Sequence, residues 1–166
     1  MNGRAITEPA AQEWLARKNA HYLEYINLLT PQDRLPGVTA CLNAARAAGL
    51  KLAIASASKN ARLVLERLEL TARFDAIGDG HSVAEPKPAP DLFLWVTEAL
   101  GVRPCVSVVF EDAEAGVDAA KRAGCLTVGI GKANVDHADI QLATGLENAH
   151  SNRILSQLEA VRSTRE

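Results

Sequence analysis

Glu111 and Asp112 are two adjacent acids that directly follow a mostly apolar run, residues 106–110. Such a run is typical of a buried strand in a parallel sheet, and ligand sites of open α/β folds lie at the carboxyl ends of these strands. A Gly-containing, alanine-rich stretch, residues 113–123, follows with helical character and is closed by Gly124. Paired carboxylates at such an edge are suited to hold Mg²⁺, with water filling its remaining positions.

Two other polar clusters are expected at or near the same edge. Residues 56–60, SASKN, follow a short apolar strand, and Lys87 lies between prolines in a loop after another strand. A hydroxyl with free backbone N–H groups at a helix start forms a cradle for phosphate, and a lysine adds a compact positive charge. Since the carboxyl ends of parallel strands share one edge, the clusters can converge. Together they predict a phosphoryl-transfer site, where electrostatic stabilisation of the transferring group is the main task.

Each cluster also has an interpretation without catalysis. Ser56 could cap the helix that follows it, and Lys87 could be a solvated loop residue. One of the two acids could cap the helix that begins near Ala113. Convergence of all three clusters on one edge favours the phosphoryl-transfer interpretation.

Strands and helices are predicted to alternate along most of the chain. The predicted helices are 8–28, 38–48, 60–68, 91–100, 113–123 and 153–161, and the predicted strands are 51–55, 74–77, 106–110, 126–130 and, more weakly, 140–143. Asp91 is expected to cap its helix. This alternation is typical of a parallel sheet with helices on both faces, an α/β fold. We predict that residues 1–35 form a separate helical part and residues 36–166 the α/β core.

The composition is that of a globular domain: 166 residues, 48% hydrophobic and 23% charged, with a net charge of −2. No basic run favours nucleic acid, and no apolar run approaches the roughly 18 residues that span a bilayer. The first residues lack the basic start and apolar core of a secretion signal. The three cysteines are widely spaced without a CxxC pair, which favours thiols in a reducing compartment. We expect a cytoplasmic protein that binds neither nucleic acid nor membrane.

The three clusters resemble the second, third and fourth motifs of the haloacid dehalogenase (HAD) superfamily. The segments that carry the resemblance are IASASKN, EPKPAPDLF and VFEDAEAGVDAAKRAG. More narrowly, KLAIASASKN, LERLELTARFDAI and KPAPDLF are similar to β-phosphoglucomutases and their close phosphatase relatives. The resemblance runs from about residue 13 to the predicted last helix. It implies a HAD-like Rossmannoid fold and Mg²⁺-dependent phosphoryl transfer on hexose phosphates, β-glucose 1-phosphate to glucose 6-phosphate, through an aspartyl-phosphate. The alternative activity that it implies is a sugar-phosphate phosphatase.

The resemblance also implies roles for the residues that chemistry singled out. Ser56 would bind the transferring phosphoryl oxygen, helped by the backbone N–H of Ala57. Lys87 would neutralise charge on that phosphoryl group and on the nucleophile. Glu111 and Asp112 would hold Mg²⁺, with Asp112 as the direct ligand.

Four further residues match substrate-binding positions of the family. Ser58, Lys59 and Asn60 correspond to positions that bind the second phosphate of the substrate. Lys18 corresponds to a lysine at the end of the helical cap that faces the sugar.

One family motif is missing from the sequence. DxDGx, at the end of the first and central strand, supplies the aspartate nucleophile and the acid/base aspartate, and no DxD occurs here. Asp79-Gly80 does not reproduce it. We expect a chain truncated at its N-terminus, without its central strand and most of its cap. The strands that end at Ser56 and Glu111 would then either leave a cleft with unpaired backbone or close up, and the fold would be marginal.

Three hypotheses follow. The chain is a truncated member of an enzyme family and is inactive as written; or it is a non-catalytic protein that uses the remaining Mg²⁺ and phosphate groups to bind a metabolite or partner; or a second chain supplies the missing strand and nucleophile. We favour the first for family membership and expect no turnover from the chain alone.

Overall fold

The computed structural model describes residues 7–131 and 134–146, and within these ranges it confirms the α/β prediction. The strands are β1 (Ala53–Ala55), β2 (Ala76–Gly78), β3 (Val108–Glu111), β4 (Leu126–Ile130) and β5 (Ile140–Leu142), and the helices are α1 (Glu8–Leu28), α2 (Val38–Ala47), α3 (Ala61–Arg67), α4 (Asp91–Leu100) and α5 (Glu114–Arg122). Short 3₁₀ turns lie at Pro31–Asp33, Thr71–Arg73 and Pro104–Val106. The helix predicted at 153–161 lies outside the described residues. The division at residue 35 stays a prediction.

The strands form two parallel sheets instead of one. β1 pairs with β2, with Ala53 opposite Ala76, and the second sheet has the order β3-β4-β5, with Val108 opposite Leu126. Ala55 of β1 and Val109 of β3 pack against the same hydrophobic cluster, so the two sheets meet at these strands. β1 and β3 do not pair with each other. Of the two expected outcomes, the structure therefore shows separate edges and not closure into one sheet.

Helices α4 and α5 join the two sheets on one face. The shared cluster contains Phe93 of α4 together with Ala119 and Ala120 of α5, both fully buried. Alanines on α5 let this helix lie close to the strands. Gly78 does the same for α4, because a Cβ there would stand 2.8 Å from a methyl group of Val96. The face that carries α4 and α5 thus holds β1 and β3 in place without a hydrogen bond between them.

Three local predictions about β3 and α4 were wrong. β3 begins at Val108 instead of Val106, because Pro104–Val106 forms a 3₁₀ turn, and Phe110 on this strand is 39% exposed instead of buried. Successive strand residues point to opposite faces, so Phe110 points away from the α4 and α5 cluster that covers Val109. Asp91 does not cap α4: Pro90 is the cap residue, and Asp91 is the first residue of the helix. Its carboxylate still lies in the first turn, where the positive end of the helix dipole stabilises a negative charge.

α1 is attached to the core by one buried apolar side chain and by polar contacts. Only Ile26 of this helix is buried, whereas large apolar side chains such as Trp14 and Tyr25 are 67% and 69% exposed. Two hydrogen bonds join α1 to α3: the Asn60 amide nitrogen donates to the Asn19 side-chain oxygen at 3.0 Å, and Arg67 donates to the Asn27 side-chain oxygen at 2.7 Å. Neither α1 nor any other helix in the described ranges has an apolar stretch long enough to cross a bilayer.

Candidate functional site

Lys87 connects the carboxyl ends of the two sheets. Its ammonium group donates a hydrogen bond to the backbone oxygen of Ala55, the last residue of β1, at 3.1 Å. It also forms an ion pair with the carboxylate of Glu111, the last residue of β3. The Lys87 and Glu111 side chains are only 12% and 11% exposed. The interpretation of Lys87 as a solvated loop residue was therefore wrong.

The ring of Phe93 packs against the ammonium group of Lys87. The ammonium nitrogen lies 4.8 Å from the ring centroid, within the range of a cation–π interaction. A buried ion pair remains favourable when its hydrogen bonds are satisfied, and here one carbonyl, one carboxylate and one aromatic face surround the charge. Lys87 is thus held rigidly at the junction of β1 and β3.

The loop after β1 is shaped by its own hydroxyl groups. The Ser56 N–H donates to the backbone oxygen of Gly78 at 3.0 Å, which extends the pairing of β1 with β2. The Ser56 hydroxyl oxygen accepts the N–H of Ser58, and the Ser58 hydroxyl oxygen accepts the N–H of Asn60, each at 3.1 Å. These are local turns of the kind that serine favours. The residues that this loop was predicted to offer to a phosphate thus lie in one compact turn.

Two hydrogen-bond donors of this loop are available to bind an anion. The cap residue of α3 is Asn60, and the helix has no side-chain cap bond, so Ser56 does not act as the predicted alternative cap. Because the Ser56 oxygen already accepts an amide, its hydroxyl proton remains for another acceptor. The Ala57 N–H donates to no backbone oxygen of the described residues. Ser56 and Ala57 therefore offer two donors side by side.

Glu111 and Asp112 have different surroundings. Glu111 is paired with Lys87 and lies against Gly116 in the first turn of α5, where a Cβ would collide with the Glu111 carboxylate. Asp112 is exposed. The cap residue of α5 is Ala113, without a side-chain cap bond, so neither acid caps this helix.

The fit of this edge to Mg²⁺ rests on Asp112. Among residues 7–131 and 134–146, no group of three or more His, Cys, Asp or Glu side chains is arranged to hold a metal ion. Mg²⁺ commonly takes only one or two carboxylates and completes its shell with substrate phosphate oxygens and water. The exposed carboxylate of Asp112 fits that mode. The assignment of Glu111 and Asp112 as metal ligands stays a prediction.

The predicted sugar-side residues lie between α1 and α3. Lys59 and Lys18 are exposed, and neither side chain forms a hydrogen bond or ion pair with another described residue. Asn60 reaches α1 through Asn19, the neighbour of Lys18. A cavity of about 180 Å³ opens here, lined by Tyr22, Ile54, Ser56, Ser58, Ala61, Val64 and Leu65. The roles of Lys18, Lys59 and Asn60 in substrate binding stay predictions.

Asp79 is a residue of this edge that the sequence analysis left without a role. It directly follows β2 and is only 5% exposed. Its carboxylate accepts the His81 N–H and the Arg62 guanidinium, each at 2.9 Å. Chiefly the His81 amide, and then Arg62, hold the pKa of Asp79 below its usual range, although burial opposes them. The rule that located Ser56 and Glu111, a polar residue just after a parallel strand, applies equally to Asp79.

Comparisons with known proteins show which family the chain resembles. The model of the haloacid dehalogenase-like hydrolases matches residues 3–124. A β-phosphoglucomutase of Bacillus subtilis is 41% identical over 126 residues, which cover 76% of this chain and 56% of the relative. A phosphorylated carbohydrates phosphatase of Thermotoga maritima is 41% identical over 91 residues, 54% of this chain and 42% of the relative. The chain thus spans about half the length of these curated relatives.

A solved structure extends the similarity to the whole fold. The crystal structure of a β-phosphoglucomutase from Clostridium difficile superimposes with a TM-score of 0.86 at 30% identity. The superposition covers 94% of this chain and 70% of that structure.

Proposed function

The chain belongs to the family of haloacid dehalogenase-like hydrolases, and from this membership we propose that its site serves Mg²⁺-dependent phosphoryl transfer on hexose phosphates. The observation that carries the proposal is the contact of Lys87 with both Ala55 and Glu111, which brings the serine turn, the ammonium group and the acid pair to one edge. The names of the relatives, a β-phosphoglucomutase and a phosphorylated carbohydrates phosphatase, support a sugar phosphate as substrate.

Each residue would act on a different part of the phosphoryl group. The Ser56 hydroxyl and the Ala57 N–H would donate to a phosphoryl oxygen, and Lys87 would neutralise developing charge. Asp112, with Glu111 beside it, would hold Mg²⁺, which supplies further positive charge when bound.

The other end of the substrate would face α1. Ser58, Lys59 and Asn60 would bind a second phosphate, and Lys18 would face the sugar. The mutase reaction, β-glucose 1-phosphate to glucose 6-phosphate, and phosphate hydrolysis share this chemistry and differ in the final acceptor of the phosphoryl group.

The nucleophile would come from a strand between β1 and β3. These strands do not pair with each other, and the sequence contains no DxD. We therefore infer that the chain as written does not turn over substrate. A further polypeptide segment that carries an aspartate would complete the site, and a second chain could supply that segment. A parallel strand in this position would place its carboxyl end beside Lys87.

Binding is the first test. Titration calorimetry of the purified chain with glucose 6-phosphate and Mg²⁺ should show saturable binding. Ser56→Ala should weaken it about tenfold, the value of one hydrogen bond to a charged group. Ser107→Ala is the matched control. The Ser107 hydroxyl donates to the backbone oxygen of Arg103 at 3.0 Å, just before the start of β3. Equal affinity of the Ser56→Ala variant and the wild type would refute the proposed phosphate site.

Complementation is the second test. A synthetic peptide of about ten residues, an apolar strand that ends in Asp-x-Asp-Gly, should confer Mg²⁺-dependent turnover of β-glucose 1-phosphate on the chain. The same peptide with Asn in place of the first Asp should confer none. Turnover by the chain alone that is lost in Asp112→Ala would contradict the need for a second segment. Binding without turnover in every mixture would instead favour a non-catalytic metabolite-binding protein.

A further inference from the structure

Asp79 is a buried charged residue that the proposed chemistry does not use. One carboxylate oxygen accepts the Arg62 Nε–H at 2.9 Å. The other accepts the His81 N–H at 2.9 Å and the Ser82 hydroxyl at 3.4 Å. Both oxygens therefore have partners within the chain. This carboxylate is placed to hold structure in position and not to contact a ligand.

Arg62 fastens the start of α3 to the end of β2. It is the second residue of α3, and its guanidinium makes two bonds: Nε to Asp79, and Nη2 to the backbone oxygen of Ile77 at 2.7 Å. A planar guanidinium that binds at two points fixes orientation as well as distance. Residues 56–60 run from β1 to α3. Fixing the first turn of α3 therefore fixes the far end of this loop, and the pairing of β1 with β2 fixes the near end.

Gly80 holds the middle of the same loop. Its N–H donates to the backbone oxygen of Ser58 at 3.3 Å. A Cβ at this position would stand 2.6 Å from the Ala57 backbone oxygen and 3.1 Å from the Lys59 backbone nitrogen. Backbone therefore lies directly against backbone. Together with Asp79, this contact attaches both the middle and the end of the loop to the segment that follows β2.

We propose that the Arg62–Asp79 pair positions the loop of residues 56–60 for phosphate binding. The inference rests on the proposed function of that loop and adds two residues that touch neither phosphate nor metal. The loop offers a few donors whose direction depends on its exact shape. Misplacing such donors by about 1 Å can cost up to a hundredfold in function. The pair keeps the Ser56 hydroxyl and the Ala57 N–H pointed at one spot.

Asp79→Asn isolates this contact. The side chain keeps its size and an oxygen for the His81 amide, but it turns an N–H₂ donor toward the Arg62 Nε–H donor. Arg67→Ala is the matched control, because Arg67 is the other α3 arginine in a hydrogen bond and binds Asn27 at the far end of that helix. Arg62→Lys keeps the charge but loses the two-point geometry. It replaces Asp79→Asn in the same measurements if that variant does not fold.

Hydrogen–deuterium exchange and phosphate affinity separate positioning from mere stability. Without ligand, the hydrogen-bonded amides of Ser58 and Asn60 should exchange about tenfold faster in Asp79→Asn, while β3 and β4 keep their wild-type rates. The dissociation constant for inorganic phosphate should rise about tenfold, because the displaced loop donors no longer point at one phosphate oxygen. Arg67→Ala should leave both the loop exchange and the phosphate affinity unchanged.

The outcomes are distinct. Wild-type exchange of the loop in folded Asp79→Asn and Arg62→Lys would overturn the inference, and so would an equal rise throughout the molecule. If the wild-type chain does not bind inorganic phosphate, the proposed function fails, and the exchange result still decides whether the pair positions the loop.

Discussion

Lys87→Met is the sharpest test of how the two sheets are held together. Methionine keeps much of the volume and removes the ammonium group, so Glu111 loses its partner although its side chain is only 11% exposed. Breaking a buried ion pair from one side costs about 3–5 kcal/mol, because the remaining charge stays buried. The hydrogen bond to Ala55 is lost as well. Against a total stability of about 5–15 kcal/mol for a domain, this is a large fraction.

Urea unfolding followed by circular dichroism measures the effect. For a chain of this size the loss corresponds to a melting temperature lower by about 6–20 °C. Lys121→Met is the control. Lys121 is 36% exposed, donates to the backbone oxygen of His137 and lies 3.9 Å from Asp139. Asp139 keeps its hydrogen bonds from Thr127 when the lysine is lost, so the cost should stay below about 1 kcal/mol.

The double variant Lys87→Met/Glu111→Leu checks the reasoning. It removes both charges and leaves no unpaired charge behind, so it should be more stable than Lys87→Met alone, although the hydrogen bond to Ala55 stays lost. If Lys87→Met costs no more than Lys121→Met, or if the losses of the two single variants simply add, Lys87 does not join the sheets in the way that its contacts indicate.

Two further predictions concern the same part of the molecule. Gly116→Ala should lower the free energy of unfolding by about 1–3 kcal/mol, because the new methyl group displaces the Glu111 carboxylate from Lys87; alanine otherwise favours helix over glycine, so a gain in stability would contradict this. Iodoacetamide at pH 8 should label exposed Cys105 and leave Cys125 unmodified until the chain unfolds, because burial, and secondarily Cys105, raises the pKa of Cys125 to about 11; equal labelling by mass spectrometry would argue against it.

The site was predictable where one topological rule applies. Ser56 directly follows β1, Glu111 ends β3, and Lys87 lies in the loop after β2, so a common edge follows from the order of elements alone. The ends of α2 and α4 were predictable as well, because Gly49 and Gly101 take positive φ angles of 73° and 64° that other residues avoid.

Other features depend on contacts that no local pattern encodes. The Arg62–Asp79 pair joins residues far apart in sequence and requires a particular direction of the guanidinium group. The helical spacing of α1 predicted the helix and its bounds, yet it did not predict that Trp14 and Tyr25 are exposed.

The division into two sheets also shapes how the chain folds. Each sheet comes from one continuous stretch, since Ala53 pairs with Ala76 and Val108 pairs with Leu126. β1 and β2 are joined through α3, and β3 and β4 through α5, so the contacts within each sheet are more local in sequence than those between the sheets. We expect the local contacts to form first, with α4 docking the two sheets afterwards. Any strand that enters between β1 and β3 would add to two sheets that have already formed. Its insertion is then a late step, and if that strand belongs to a separate molecule, its rate depends on concentration.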